Sequence, residues 1–188
     1  MLASASPRRA QILRELGIPF RVVVSHEDES LSPGEDARSA VERLARAKAV
    51  AVATGETLPV LAADTEVVCE RLILGKPKDA TDAAGMLRRL SGRSHEVLTG
   101  VSLAAGGVVR SGVEQTTVTF APMSETEIAW YVSTGEPLDK AGGYHAFGQG
   151  ALFVETVLGS PSNVAGLPVR LVLRLARESG LDLGLPRA

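Results

Sequence analysis

Near its start the chain reads Ser4-Ala5-Ser6-Pro7-Arg8-Arg9, two hydroxyls and two guanidinium groups where a helix begins. Ser6 suits the N-cap and Pro7 the first helical position, where a missing N–H costs nothing. A helix start carries unpaired backbone N–H groups and partial positive charge, so it is a natural seat for an anion. The flanking hydroxyls and guanidiniums would suit a phosphate. Arg9 is the odder of the pair: at about 100° per residue it falls between Leu13 and Leu16 on the apolar stripe. The competing reading is a capped helix with solvated arginines.

Four further polar features conflict with the pattern around them. Lys48 sits near the centre of the inward stripe set by Val41, Leu44, Ala45 and Val52, so its ammonium must snorkel or meet an anion. If only the stripe mattered, Lys48→Met would hold or raise stability. Asp64 follows the apolar run Val60-Leu61-Ala62-Ala63 and stands at the carboxyl end of a buried strand, the edge where open α/β sheets place ligands. A carboxylate there can take a proton from water, hold a divalent metal, or simply cap the next turn. Lys76, in Gly75-Lys76-Pro77, is either a phosphate ligand or an exposed loop lysine. Asp28-Glu29 belongs to the acidic stretch HEDESLSPGED, a solvated loop unless its carboxylates share Mg²⁺. His95 opens a strand and reads as a structural histidine. Two inward cations, a phosphate-ready helix start and carboxylates at a strand edge together suggest metal-dependent chemistry on a phosphate ester or anhydride.

The elements that must position these groups alternate. Strands are predicted at 1–5 and 19–24, helices at 7–16 and 36–53, and a strand at 59–68. After the GKPKD loop come a helix at 81–91 and two strands at 95–105 and 110–120, joined like a hairpin at Ala105-Gly106-Gly107. A short helix at 124–133, a Gly-rich stretch at 135–150, a strand at 150–156 and a helix at 167–179 follow. The pattern is α/β with a mixed sheet, and the hairpin argues against a purely parallel one. No repeat or low-complexity linker interrupts it, so residues 1–188 read as one domain.

Composition excludes several classes. Lys+Arg 20 against Asp+Glu 22 gives a net charge of -2 without a polybasic run, which argues against nucleic acid as a partner. A single cysteine, Cys69, rules out a disulfide framework, and three separated histidines make no HExxH. Neither GxGxxG nor a Walker A loop is present. With no leader-like or membrane-spanning run, the expectation is a cytoplasmic globular protein with no membrane partner.

Resemblance carries the reading further. LASASPRR at the start, RLARAKA at 43–49, AADTEVV at 62–68, GKP at 75–77 and MLRRLSGRSHEVLTG at 86–100 resemble, in order, the Maf family. EPLDKAGGY at 136–144, GALFVE at 150–155 and SNVAGLPV at 162–169 continue the likeness. These are septum-formation-inhibitor-like nucleoside triphosphate pyrophosphatases. The resemblance implies a fold similar to the inosine triphosphate pyrophosphatases, with a twisted mixed sheet, flanking helices and two lobes around a deep cleft. It implies cleavage of a nucleoside triphosphate into monophosphate and pyrophosphate with a divalent cation, Mg²⁺, Mn²⁺ or Co²⁺. Asp64 would then be the base that activates water, and Ser6, Arg8, Arg9, Lys48 and Lys76 would hold phosphates. Glu29, with Asp64, would serve the metal. A homodimer is compatible with the pattern.

SPRR, Ala63-Asp64-Thr65 and Lys140-Ala141-Gly142-Gly143-Tyr144 side with members acting on dTTP and UTP rather than on 7-methyl-GTP, so Arg8 and Thr65 join the specificity set. One departure stands out. Where the family usually reads G-I-Q-G after the tyrosine, this chain has His145-Ala146-Phe147-Gly148, which puts Phe147 at the specificity glutamine. A glutamine reads a base edge by donating and accepting; a phenyl ring stacks or fills space. Alternatives from other classes are a nucleotide-sensing regulator of cell division, a 7-methyl-GTP-type or broad-specificity pyrophosphatase, and a phosphohydrolase that releases phosphate.

Overall fold

The structure, a computed structural model, describes residues 1–184. In chain order the elements are α1 (Pro7–Glu15), α2 (Ala37–Ala53), β1 (Val60–Cys69), β2 (Leu72–Leu74), α3 (Ala80–Leu90) and β3 (Ser94–Ala105). They continue with β4 (Val108–Phe120), α4 (Glu125–Ser133), β5 (Val154–Leu158), α5 (Pro161–Val164) and α6 (Val169–Glu178), with three 3₁₀ turns between residues 136 and 153. The strands form one five-stranded sheet in the order β2-β1-β3-β4-β5, antiparallel between β1 and β2 and between β4 and β5. Isolated parallel bridges join Leu2 to Val22 and to Leu61.

Those bridges correct two expectations. Residues 1–5 and 19–24 are not strands: Leu2 donates to Arg21 O and Val23 donates to Leu2 O, Ala3 donates to Leu61 O and Leu61 to Met1 O, but these single bridges do not extend into a ladder. The short apolar runs bury a side chain or two without a ladder to extend. At the other end, residues 149–153 form a 3₁₀ turn and the last strand begins only at Val154.

The chain divides into two compact units, one built from Met1–Asp64, Thr99–Glu114 and the residues from Gly166 on, the other from Thr65–Leu98 and Gln115–Ala165. In the first, the two-residue period of β1 deals side chains to opposite faces. Leu61 and Ala63 pack with Ala10 and Leu13 of α1 and with Leu171, Val172 and Leu175 of α6. Val60 and Ala62 pack with Ala49 and Val52 of α2. Gly100 lets α2 lie down on β3, because a Cβ there would stand 2.1 Å from Val41 O. In the second unit, Leu87 and Leu90 of α3 and Ile128 and Tyr131 of α4 close over Val67, Val97, Val118 and Phe120. Gly142, at φ +71, presses against Val67, where a Cβ would come within 3.0 Å, and its N–H donates to Gly75 O at 3.1 Å. The KAGGY and GKP segments are thereby tied together.

Candidate active site

Asp64 is the next even-numbered residue after Val60 and Ala62, so the pleat turns it to the face that α2 covers. It is 7% exposed. From that helix Lys48, 5% exposed, reaches it: Lys48 Nζ lies 2.5 Å from Asp64 Oδ1 and 2.6 Å from Glu29 Oε1. The inward lysine meets two carboxylates rather than snorkelling. Taking two charges out of water is tolerable here because the ammonium donates directly to both oxygens.

Glu29 reaches Lys48 from an acidic loop that is itself fastened. Arg43 of α2 donates through Nε and Nη2 to Glu35 at 2.7 Å, and through Nη2 to Ser30 O at 3.1 Å. That bidentate contact draws the Glu35 carboxyl down to about 2. Asp28 turns elsewhere. It accepts from the Ser30 N–H at 2.9 Å and hydroxyl at 2.6 Å, bonds that hold its pKa below the usual carboxylate range. Of the Asp28-Glu29 pair, then, Glu29 is the one that meets Lys48.

The helix start is arranged differently from the sequence expectation. Ser6 has extended N-cap geometry, but its side chain makes no cap hydrogen bond to α1. Its backbone N–H donates to Ser4 Oγ at 3.2 Å. Arg9 points inward, as the stripe predicts, and spends its guanidinium on the protein. Nε donates to Gly166 O at 2.7 Å, and Nη1 donates to Ala63 O at 2.8 Å and Ser4 Oγ at 2.9 Å. Burial pushes its pKa down, and the charges of Asp64 and Glu29 oppose the shift. Because Ala63 immediately precedes Asp64, Arg9 fixes the strand backbone beside the carboxylate. Asp64 lies midway along β1 (Val60–Cys69) and not at the carboxyl end that the apolar run suggested, because the strand continues to Cys69. Arg8, on the same first turn, is half-buried.

The first unit thus assembles Ser4, Arg9, Glu29, Lys48 and Asp64. Thr65 opens the second unit, where Lys76 is exposed between β2 and α3, and Phe147 is 49% exposed. Sequence reasoning passed over Arg43 and counted Ser4 only as one of the two hydroxyls at the helix start. Ser4 left a usable signal as a buried serine in a short apolar run, 7% exposed in the structure; Arg43 left none, because its partners lie in an irregular loop. His95 is structural as expected: it is 2% exposed, and its ring meets Phe120 and Tyr144 edge-on.

No three His, Cys, Asp or Glu side chains among the described residues converge on one point. The donors that do meet, Glu29 and Asp64, are hard oxygens already gathered around one cation, the Lys48 ammonium. That suits an ion such as Mg²⁺, which takes one or two protein carboxylates and completes its shell with water and substrate phosphate.

A family model described as Maf-like protein matches residues 1–179. The chain belongs to the Maf-like protein family. Among its relatives, a dTTP/UTP pyrophosphatase of Anaeromyxobacter sp. (strain Fw109-5) is 51% identical over 188 residues, covering 97% of this chain and 90% of that protein. Another dTTP/UTP pyrophosphatase, from Symbiobacterium thermophilum, is 46% identical over 185 residues, covering 97% and 95%. In fold, this Maf-like chain is similar to the Staphylococcus aureus Ham1 protein at a TM-score of 0.50, with 15% identity and 94% and 95% coverage. No helix among the described residues of the Maf-like chain is long and apolar enough to cross a membrane.

Proposed function

We infer that the chain hydrolyses nucleoside triphosphates to the monophosphate and pyrophosphate, with dTTP and UTP preferred, and that residues 1–188 act as one catalytic domain. The observation that carries this reading is the buried Lys48 ammonium bridging Asp64, midway along β1, and the more exposed Glu29. A structural role alone gives no reason to keep a lysine and an aspartate in a core built from α2, β1 and β3. The names of relatives about half identical over nearly the whole chain supply the substrate class.

In this reading Asp64 accepts the proton of the attacking water, and Lys48 holds the Asp64 carboxylate aimed. Arg9 anchors the backbone at Ala63 so that Asp64 does not swing. Ser6, Arg8 and Lys76 neutralise phosphate oxygens, which lowers the barrier because charge on the leaving pyrophosphate grows in the transition state. Glu29 and Asp64 would hold a divalent cation, which when bound would supply Lewis-acid neutralisation of phosphate charge.

Base preference falls to Arg8, Thr65 and Phe147. A glutamine in place of Phe147 would leave its amide unpaired against a wrong base, at about tenfold to a hundredfold in discrimination. The phenyl ring applies no such penalty. Phe147→Gln should therefore widen the UTP-over-CTP ratio of kcat/KM, mostly by slowing CTP. The direct test is a nucleotide panel scored for pyrophosphate release with Mg²⁺, Mn²⁺ or Co²⁺ and with chelator. Release from dTTP and UTP that chelator abolishes supports the reading; full turnover in excess chelator overturns the metal's part in it.

A further inference from the structure

Glu136 opens the first 3₁₀ turn after Gly135, whose φ of +75 reverses the chain at the end of α4. Its side chain is 20% exposed and bonds to one loop and to the tyrosine beneath it. Oε1 accepts the Gln149 N–H at 3.0 Å and lies 3.4 Å from His145 Nδ1. Oε2 accepts the Gly150 N–H at 3.0 Å and the Tyr131 hydroxyl at 2.8 Å. That hydroxyl in turn accepts the His145 backbone N–H at 2.9 Å. One carboxylate, with Tyr131 as relay, therefore ties down both ends of residues 145–150.

The glycines explain how the loop wraps so closely. A Cβ on Gly148 would stand 2.1 Å from Glu136 Oε1 and 2.4 Å from His145 Nδ1. On Gly150 it would stand 2.6 Å from Tyr131 Oη and 2.8 Å from His145 O. Between the tethered ends, Ala146 is buried at 8% while Phe147 is left 49% exposed. A large apolar ring displayed on a loop fixed at both ends is poised to contact something outside the loop.

We propose that Glu136 is a positioning residue for substrate selection: by holding Gln149, Gly150, His145 and Tyr131 together, it fixes where Phe147 presents its ring. This rests on the reading of Phe147 as the residue facing the base. Because Glu136 acts on the loop, its loss should weaken binding and base discrimination and leave the hydrolytic step largely alone.

The test is Glu136→Gln, a near-isostere that turns an amide NH₂ toward one of the two backbone N–H donors and leaves the other only a neutral oxygen. Hydrogen exchange at the Gln149 and Gly150 amides should quicken by about tenfold or more, since each loses a charged acceptor. KM for UTP should rise with kcat within about threefold of the wild type, and the UTP-over-CTP ratio of kcat/KM should change with it. Tyr131→Phe, which removes the relay hydroxyl and keeps the ring, should shift the same quantities in the same direction by less, and serves if Glu136→Gln does not fold. Unchanged amide exchange would overturn the proposal. So would a fall in kcat at constant KM, which would put Glu136 in the chemistry. Faster exchange with unchanged kinetics would overturn it too, and Phe147→Ala then locates the fault. If that variant also leaves KM for UTP unchanged, the assignment of Phe147 has failed; if it raises KM, the link from Glu136 has.

Discussion

Replacing Lys48 with methionine separates the structure's account of the site from the sequence's. The apolar stripe of α2 predicts that removing an inward charge costs nothing. The structure predicts the reverse, because Lys48→Met leaves Asp64, with a side chain only 10% exposed, as a buried carboxylate stripped of the ammonium 2.5 Å away. Removing one partner of a buried pair costs about 3–5 kcal/mol. The arm to Glu29, whose side chain is 56% exposed, adds little, since exposed pairs contribute about 0–1 kcal/mol. Arg9 nearby offsets part of the orphaned charge, which favours the lower end, about 3 kcal/mol, or a fall in Tm of roughly 6–12 °C for a chain of this size. Thermal and urea unfolding of Lys48→Met, Asp64→Asn and the double variant, without nucleotide or metal, would measure it. The double variant should recover much of the loss, giving a coupling energy of about 2 kcal/mol or more. A single Lys48→Met variant that melts within about 2 °C of the wild type, or a double variant whose losses merely add, would refute the reasoning.

Other expectations follow from the same geometry. Asp64→Asn should keep the fold, read by circular dichroism, and lower turnover by about 10²-fold or more, the scale of a lost general base. Arg9→Met should destabilise by about 1–3 kcal/mol for each of the Gly166 and Ala63 carbonyls it orphans, measured by urea unfolding. Arg9→Lys should not rescue it, because one ammonium cannot reproduce the fork; full stability with a raised KM would instead make Arg9 a phosphate ligand. His95 links stability to acid: burial depresses its pKa from 6.5 to about 4, so between those values the unfolded chain binds the proton and the folded one does not. Stability should fall as pH drops through that window, by up to about 3 kcal/mol, and the slope should flatten in His95→Gln.

The parts of the site that were legible in the sequence are those where a single element sets the direction of a side chain. Lys48 is inward because the helical period puts it there, and Asp64 is buried because the two-residue period of the strand continues the face of Val60 and Ala62. Its expected place at the strand's end failed, since β1 runs on to Cys69. Their mutual contact was not legible. It depends on which face of β1 α2 covers and on Gly100 letting the helix approach, neither of which leaves a periodic trace. Arg9 shows the same division: its inward direction follows from the stripe, but its acceptors lie 54 and 157 residues away as backbone carbonyls, which any residue could supply. The predicted first strands failed because a run of apolar residues specifies burial and not a pairing partner. Glu136 gave no signal, since its role exists only once a glycine-rich loop has closed around it.

The central claim, hydrolysis between the α- and β-phosphates with Asp64 as base, is tested most directly by following UTP with ³¹P NMR in the presence of Mg²⁺, wild type beside Asp64→Asn. The account predicts UMP and pyrophosphate as the first products of the wild type, with both formed about 10²-fold more slowly or worse by a folded Asp64→Asn. UDP and orthophosphate as first products, or near-normal pyrophosphate release by the variant, would contradict it.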